Sequence, residues 1–105
     1  MGHKNSSNNP LPHHLYQIID KIDGDIFKYG ISCEPIGRDG MSDRMRKQVN
    51  LFNLIDDWER FFAQIIVYDL SGKMEAKLLE TEYIRLYELK NGRKPRGNIR
   101  YWLNF

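Results

Sequence analysis

The sequence predicts an α+β domain: a small three-stranded, mostly antiparallel sheet in the order β-β-α-β-α, flanked by helices. Three observations carry this. A β-branched and aromatic run, Leu15-Tyr-Gln-Ile-Ile-Asp20, connects through Asp23-Gly24 to an alternating run, Asp25-Ile-Phe-Lys-Tyr-Gly-Ile-Ser32. A nearly unbroken apolar run occupies 61–68. Two stretches of helical spacing lie on either side of it.

Asp-Gly between two β-rich runs signals a two-residue hairpin turn, because Gly tolerates a positive φ. In the second run Phe27, Tyr29 and Ile31 fall on one face, with Lys28, Gly30 and Ser32 on the other. Residues 33–40 contain Pro35, Gly37 and Gly40 and read as a loop. Ser42 is placed to cap a helix running to about Leu54, with Met45, Val49 and Phe52 inward and Arg44, Arg46 and Lys47 exposed. Residues 56–59, Asp-Asp-Trp-Glu, fit a turn or a short helix equally. The run 61–68 reads as a buried central strand, and Ser71-Gly72 turns the chain. A long helix follows from Lys73 to about Lys90, with Met74, Leu78, Tyr83, Leu86 and Leu89 in an apolar stripe and Gly92 beyond its end.

Residues 1–13, MGHKNSSNNPLPH, hold one large aliphatic residue besides the initiating Met and cannot offset their ordering entropy by burial. They read as a flexible leader or linker before a domain spanning 14–105. No apolar run approaches the roughly 20 residues of a membrane span, so no membrane partner is expected. The single cysteine excludes an internal disulfide and a multi-cysteine zinc cage. Sixteen Lys and Arg against fourteen Asp and Glu give a net charge of +2, so any polyanion must be met by a local cluster.

Several polar residues stand out from this scaffold: Tyr16, Lys28, Tyr29, Arg44, Glu80 and Asn98. They come from the hairpin, the first helix, the long helix and the tail. In order, the chain offers Leu15-Tyr16-x-Ile18, a Gly-turned hairpin, Tyr29-Gly30-Ile31-Ser32, an Arg on the next helix, Ala76-x3-Glu80-x3-Ile84, and Gly97-Asn98. This succession resembles the GIY-YIG (URI) endonuclease superfamily from residue 14 to 98.

The resemblance implies one divalent cation, Mg²⁺ or Mn²⁺, held by a single Glu on the long helix. Water then attacks a phosphodiester in line, with a hairpin Tyr as general base and an Arg neutralising the phosphate. Cations suit this chemistry because negative charge grows on the phosphate oxygens during attack. One carboxylate suits Mg²⁺, which keeps much of its hydration shell. Carried over, Tyr16 is the Tyr of the first motif, Glu80 the metal ligand, Arg44 the phosphate-binding Arg and Asn98 the brace of the site.

Three positions depart from the family pattern. The first motif, His14-Leu15-Tyr16, lacks its Gly. In the second, Lys28-Tyr29-Gly30, anchoring on Gly30 puts Lys28 where the family has a Tyr. Counting instead from a two-residue turn sets Ile18 opposite Tyr29 and Tyr16 opposite Ile31, so Tyr16 and Tyr29 share a face and Lys28 points away. Tyr29 is then the second tyrosine, although a bulge at Lys28 would reverse this. One helical turn after Arg44, where members of the family often carry His, stands Gln48, which cannot act as a base.

Each residue also has a plainer reading. Arg44, Arg46 and Lys47 fit a solvated helix face, with Arg46 the substitute for Arg44 in the phosphate role. Glu80 lies on a helix rich in Glu and Lys, and Asn98 follows Gly97 as turn residues do. His13 and His14 lack a third ligand for zinc, and Cys33 a dedicated His partner. Arg93, Lys94 and Arg96, with Arg100 and the aromatic Tyr101 and Trp102, form either a phosphate-contacting strip or a solubilising tail. Lys28, Arg46, Lys47, Arg93, Lys94 and Arg96 are the nucleic-acid-binding candidates.

The expectation is a divalent-metal-dependent endonuclease acting on DNA, with RNA an open alternative. Its compactness and Asn/Pro-rich leader resemble C-terminal toxin domains of bacterial polymorphic toxins and secretion-system effectors. Such a domain implies a cognate immunity protein and action in a target-cell cytoplasm. The rival readings are a non-catalytic nucleic-acid-binding module of the same fold and a protein-interaction domain.

Overall fold

The computed structural model describes residues 8–99. Part of the expected leader (1–7) and the end of the tail (100–105, with Arg100, Tyr101 and Trp102) lie outside the described residues. The chain runs β1 (Pro12–Asp20), β2 (Ile26–Ser32), α1 (Asp43–Asp56), β3 (Phe61–Ser71), α2 (Lys73–Asn91) and a 3-10 turn, Arg96–Asn98. The order β-β-α-β-α and the three-stranded antiparallel sheet are those expected. No helix among the described residues is long and apolar enough to cross a membrane.

Strand alternation sends β1 side chains to two cores. Tyr16 and Ile18 face α1 and join Phe27, Met45, Val49, Phe61 and Ile65. Leu15 faces α2 and joins Tyr29, Leu70, Ala76 and Tyr87. The sheet is thus sandwiched between the helices.

Four expectations are corrected. The sheet order is β2-β1-β3, so the central strand is β1 and β3 is an edge. Its apolar run reflects helices on both faces, Phe61 and Ile65 meeting the α1 side and Leu70, Ile66 and Val67 the α2 side. The stripe of α2 that packs on the sheet is Ala76, Leu79, Tyr83, Ile84 and Tyr87, whereas Met74, Leu78, Leu86 and Leu89 are exposed. Residues of similar hydropathy lie on both sides of this helix, so spacing alone could not select the buried side.

The start of the fold also differs. β1 begins at Pro12, and Asn9 is buried, its carbonyl accepting the Lys73 N–H at 2.8 Å. Finally, the hairpin loop spans 21–25 rather than two residues. The buried Asp20 carboxylate accepts the Ile22 N–H at 2.9 Å, and the Gly24 N–H reaches the Asp20 carbonyl at 2.9 Å with Gly24 at φ 72°. Residues 56–59 resolve as a helix end: α1 stops at Asp56, and Asp57 takes a left-handed conformation at φ 60°.

Asp20 is the electrostatic anchor. It is fully buried and takes two hydrogen bonds from Arg60, at 3.0 and 2.7 Å, and one from Arg96 at 2.9 Å. The Arg60 guanidinium, helped by the Ile22 N–H and Arg96, holds its carboxyl far below the usual range against the opposing effect of burial. The end of β1, the start of β3 and the tail are thereby joined at one carboxylate.

Asp20→Asn removes the charge that compensates two arginines and should cost roughly 3 kcal/mol, lowering Tm by about 10 °C or more in thermal denaturation. A carboxyl depressed by folding stabilises the native state above its unfolded pKa and ceases to do so as pH falls through the folded value. Wild-type stability should therefore decline below about pH 4, with a weaker decline in Asp20→Asn. A Cβ on Gly30 would overlap the Tyr16 ring, so Gly30→Ala should destabilise by about 1–3 kcal/mol in the same assay.

Candidate active site

The hairpin determines which side chains can meet. Pairing runs Tyr16 to Gly30, Gln17 to Tyr29 and Ile18 to Lys28, then slips so that Ile19 faces Ile26. Phe27 is the extra residue of a bulge, and Lys28 shares its side of the sheet with Tyr16 and Ile18. The expected pairing of Ile18 with Tyr29 and Tyr16 with Ile31 is thus corrected, because the loop is five residues long and the strand carries a bulge. Tyr29 lies on the α2 side, its ring centroid 5.4 Å from that of Tyr83. It borders the groove, but on the face of the sheet opposite to Tyr16.

Tyr16 is fully buried, and its hydroxyl donates to Gln48 Oε1 at 2.7 Å. Gly30 supplies the space its ring occupies. Burial pushes the Tyr16 phenol above its ordinary pKa, partly offset by the neighbouring Arg44 guanidinium and reinforced by Glu80. A phenol so held keeps its proton near neutral pH, and Gln48 can orient it but not remove that proton. Lys28 is 7% exposed. Burial lowers its ammonium pKa, as do Arg44 and Lys77, while Glu80 pulls the other way.

Lys28, Arg44, Glu80, Lys94 and Asn98 line one groove of about 800 Å³, together with Lys73, Lys77 and Glu34. The Glu80 side chain is 12% exposed and lies 3.3 Å from Lys77 Nζ. Asn98 grips the backbone of Tyr29: its Oδ1 accepts the Tyr29 N–H at 2.8 Å and its Nδ2 donates to the Tyr29 carbonyl at 3.0 Å. Gly97 packs flat beside it, since a Cβ there would fall 2.7 Å from the Phe27 ring and 2.9 Å from Lys28 Cβ. The tail therefore backs the bulge that presents Lys28.

The other basic candidates divide differently. Lys94 borders the groove and Lys47 is exposed on α1. Arg46 is bound to Asp39 at 2.7 Å and Asp43 at 2.6 Å, bracing the loop before α1. Arg93 pairs with Asp25 at 3.0 Å and Arg96 with Asp20. The structure brings none of these three to the groove. Sequence reasoning missed Lys73 and Lys77. Their signal was present in the spacing, because 73, 77, 80 and 84 recur at helical intervals on one side of α2.

Among the described residues no group of three or more His, Cys, Asp or Glu is arranged to hold a metal. A closed zinc site does not fit such a donor set. A largely sheltered single carboxylate beside a cationic groove does fit Mg²⁺ or Mn²⁺ that completes its shell with water and phosphate oxygens.

No curated protein and no solved structure matches the chain. A family model does: that of URI fold toxin 2, over residues 6–92. This match covers both hairpin strands, both helices and Glu80, ending just before the basic segment that carries Asn98. The chain belongs to the URI fold toxin 2 family and is a toxin domain built on the GIY-YIG-like fold that its residues resemble.

Proposed function

We propose that this domain is a divalent-metal-dependent endonuclease that hydrolyses DNA backbones as an antibacterial toxin. The observation that carries the reading is the meeting of Glu80, Arg44 and Lys28 in one groove, with Tyr16 buried beneath it. They come from four separate elements, and packing alone has no need of a sheltered carboxylate among cations.

Glu80 would hold the cation, which when bound supplies positive charge to the scissile phosphate and its attacking water. Arg44 binds the same phosphate and compensates the charge that develops on its oxygens. Lys28 takes the proton from the attacking water, a task that burial and Arg44 favour by weakening its hold on its own proton. Tyr16 stays protonated and positions Arg44 and Lys28 from below. Asn98 keeps β2 in the register that aims Lys28. Lys94, at the groove wall, follows the flanking backbone, and Lys47, exposed on α1, is a further candidate contact. A nuclease active in bacterial cytoplasm requires a protective partner in its producer, so a cognate immunity protein covering this groove belongs to the proposal.

Plasmid cleavage with Mg²⁺ should be abolished by chelator, and Glu80→Gln should lower the rate at least about 10²-fold. Unaltered cutting by Glu80→Gln would overturn the reading. DNA mobility shifts without cutting would establish the binding-module alternative, and the absence of any salt-dependent DNA affinity the protein-interaction one. Only the neutral amine of Lys28 accepts a proton. The rate should therefore rise with pH through a lysine pKa below 10.5, and Lys28→Arg should lose that limb and about 10² in rate while keeping DNA affinity. Expression in bacterial cytoplasm should arrest growth and degrade DNA, and Glu80→Gln should relieve both.

A further inference from the structure

Lys77 has no part in the steps above, yet its ammonium sits against the carboxylate on which they depend. Its Nζ is 3.3 Å from Glu80 Oε1, one turn back along α2. The Lys77 side chain is 62% exposed and that of Glu80 12%, so a sheltered carboxylate is paired with a solvent-exposed ammonium. Lys28, Arg44, Lys73 and Lys94 border the same groove, and Glu34 is the other acid on its wall. A dication approaching Glu80 in the free protein therefore competes with Lys77 for the carboxylate and enters a field of like charge.

The displacement is easy to drive. An ion pair with one exposed partner contributes at most about 1 kcal/mol, and a phosphate backbone in the groove offers the Lys77 ammonium a richer set of acceptors. The same backbone neutralises the neighbouring cations and adds a phosphate oxygen as a further ligand.

Resting on the reading of Glu80 as the metal ligand, we infer that Lys77 is the resident counter-cation of Glu80 and makes divalent-metal binding conditional on nucleic acid. When substrate enters, Lys77 leaves the carboxylate for the backbone and the dication takes its place. Because binding free energies are reciprocal, metal raises nucleic-acid affinity by the same factor that nucleic acid raises metal affinity.

Mn²⁺ titrations followed by electron paramagnetic resonance test this on the whole chain, with and without a hydrolysis-resistant phosphorothioate duplex. Glu80→Gln should abolish Mn²⁺ binding, which identifies the site. Lys77→Gln should bind Mn²⁺ about fivefold more tightly than wild type without duplex, and Lys77→Arg should match wild type. The duplex should raise Mn²⁺ affinity about tenfold or more in wild type and by less in Lys77→Gln. Equal Mn²⁺ affinity in wild type and Lys77→Gln, or equal enhancement by duplex in both, would overturn the role of Lys77 alone. Full Mn²⁺ binding by Glu80→Gln would overturn the ligand assignment and this inference with it.

Discussion

Phe27 and Lys28 are consecutive residues of β2 that point to the same side of the sheet, and the candidate site depends on that irregularity. In a regular strand one of the two would face α2. The bulge lets Phe27 fill the core under α1 while Lys28, beside it, reaches the groove. An irregularity of this kind persists only where its surroundings hold it. Here Gly97 lies against both residues, Asn98 clamps the following backbone, and Asp20 fixes the loop that delivers β2.

The electrostatics of the molecule divide into two regions with different work. At the Asp20 end, cations and carboxylates are matched: Arg60, Arg93 and Arg96 are committed to Asp20, Asp25 and Asp56. Along the groove Lys77 pairs with Glu80, but basic side chains outnumber acidic ones. A net charge of +2 conceals this partition. The first region holds the tail in place, and the second leaves positive potential for a polyanion.

The element order was legible in the sequence because long periodic runs and Gly-marked ends report local preferences. The long helix ends at Asn91 with Gly92 left-handed beyond it, close to where the spacing and the glycine put it. The strand register was not legible. It depends on Asp20 bonding its own loop backbone, which turned an apparent Asp-Gly two-residue turn into a longer one and moved every later pairing. Glu80 and Arg44 were named through the family resemblance, whose motif spacing lies within single helices, whereas the choice between Lys28 and Tyr29 rested on pairing across strands. The commitments of Arg93 and Arg96 were equally hidden, since their acidic partners are distant in the chain, and so was the bond of Arg46 to Asp39, which lies in a loop whose shape the sequence does not specify.

Sheets grow by pairing main chains at their margins, and this one treats its two margins unequally. On the β2 side, the Asn98 amide occupies the outward N–H and C=O of Tyr29 as a neighbouring strand would, while its own chain turns away. That margin is closed to recruitment of another polypeptide at its midpoint. The opposite margin, β3, is eleven residues long and carries the exposed rings of Phe62 and Tyr68. Intermolecular strand addition, whether in assembly or in misassembly, therefore has a single preferred direction among the described residues, away from the candidate groove.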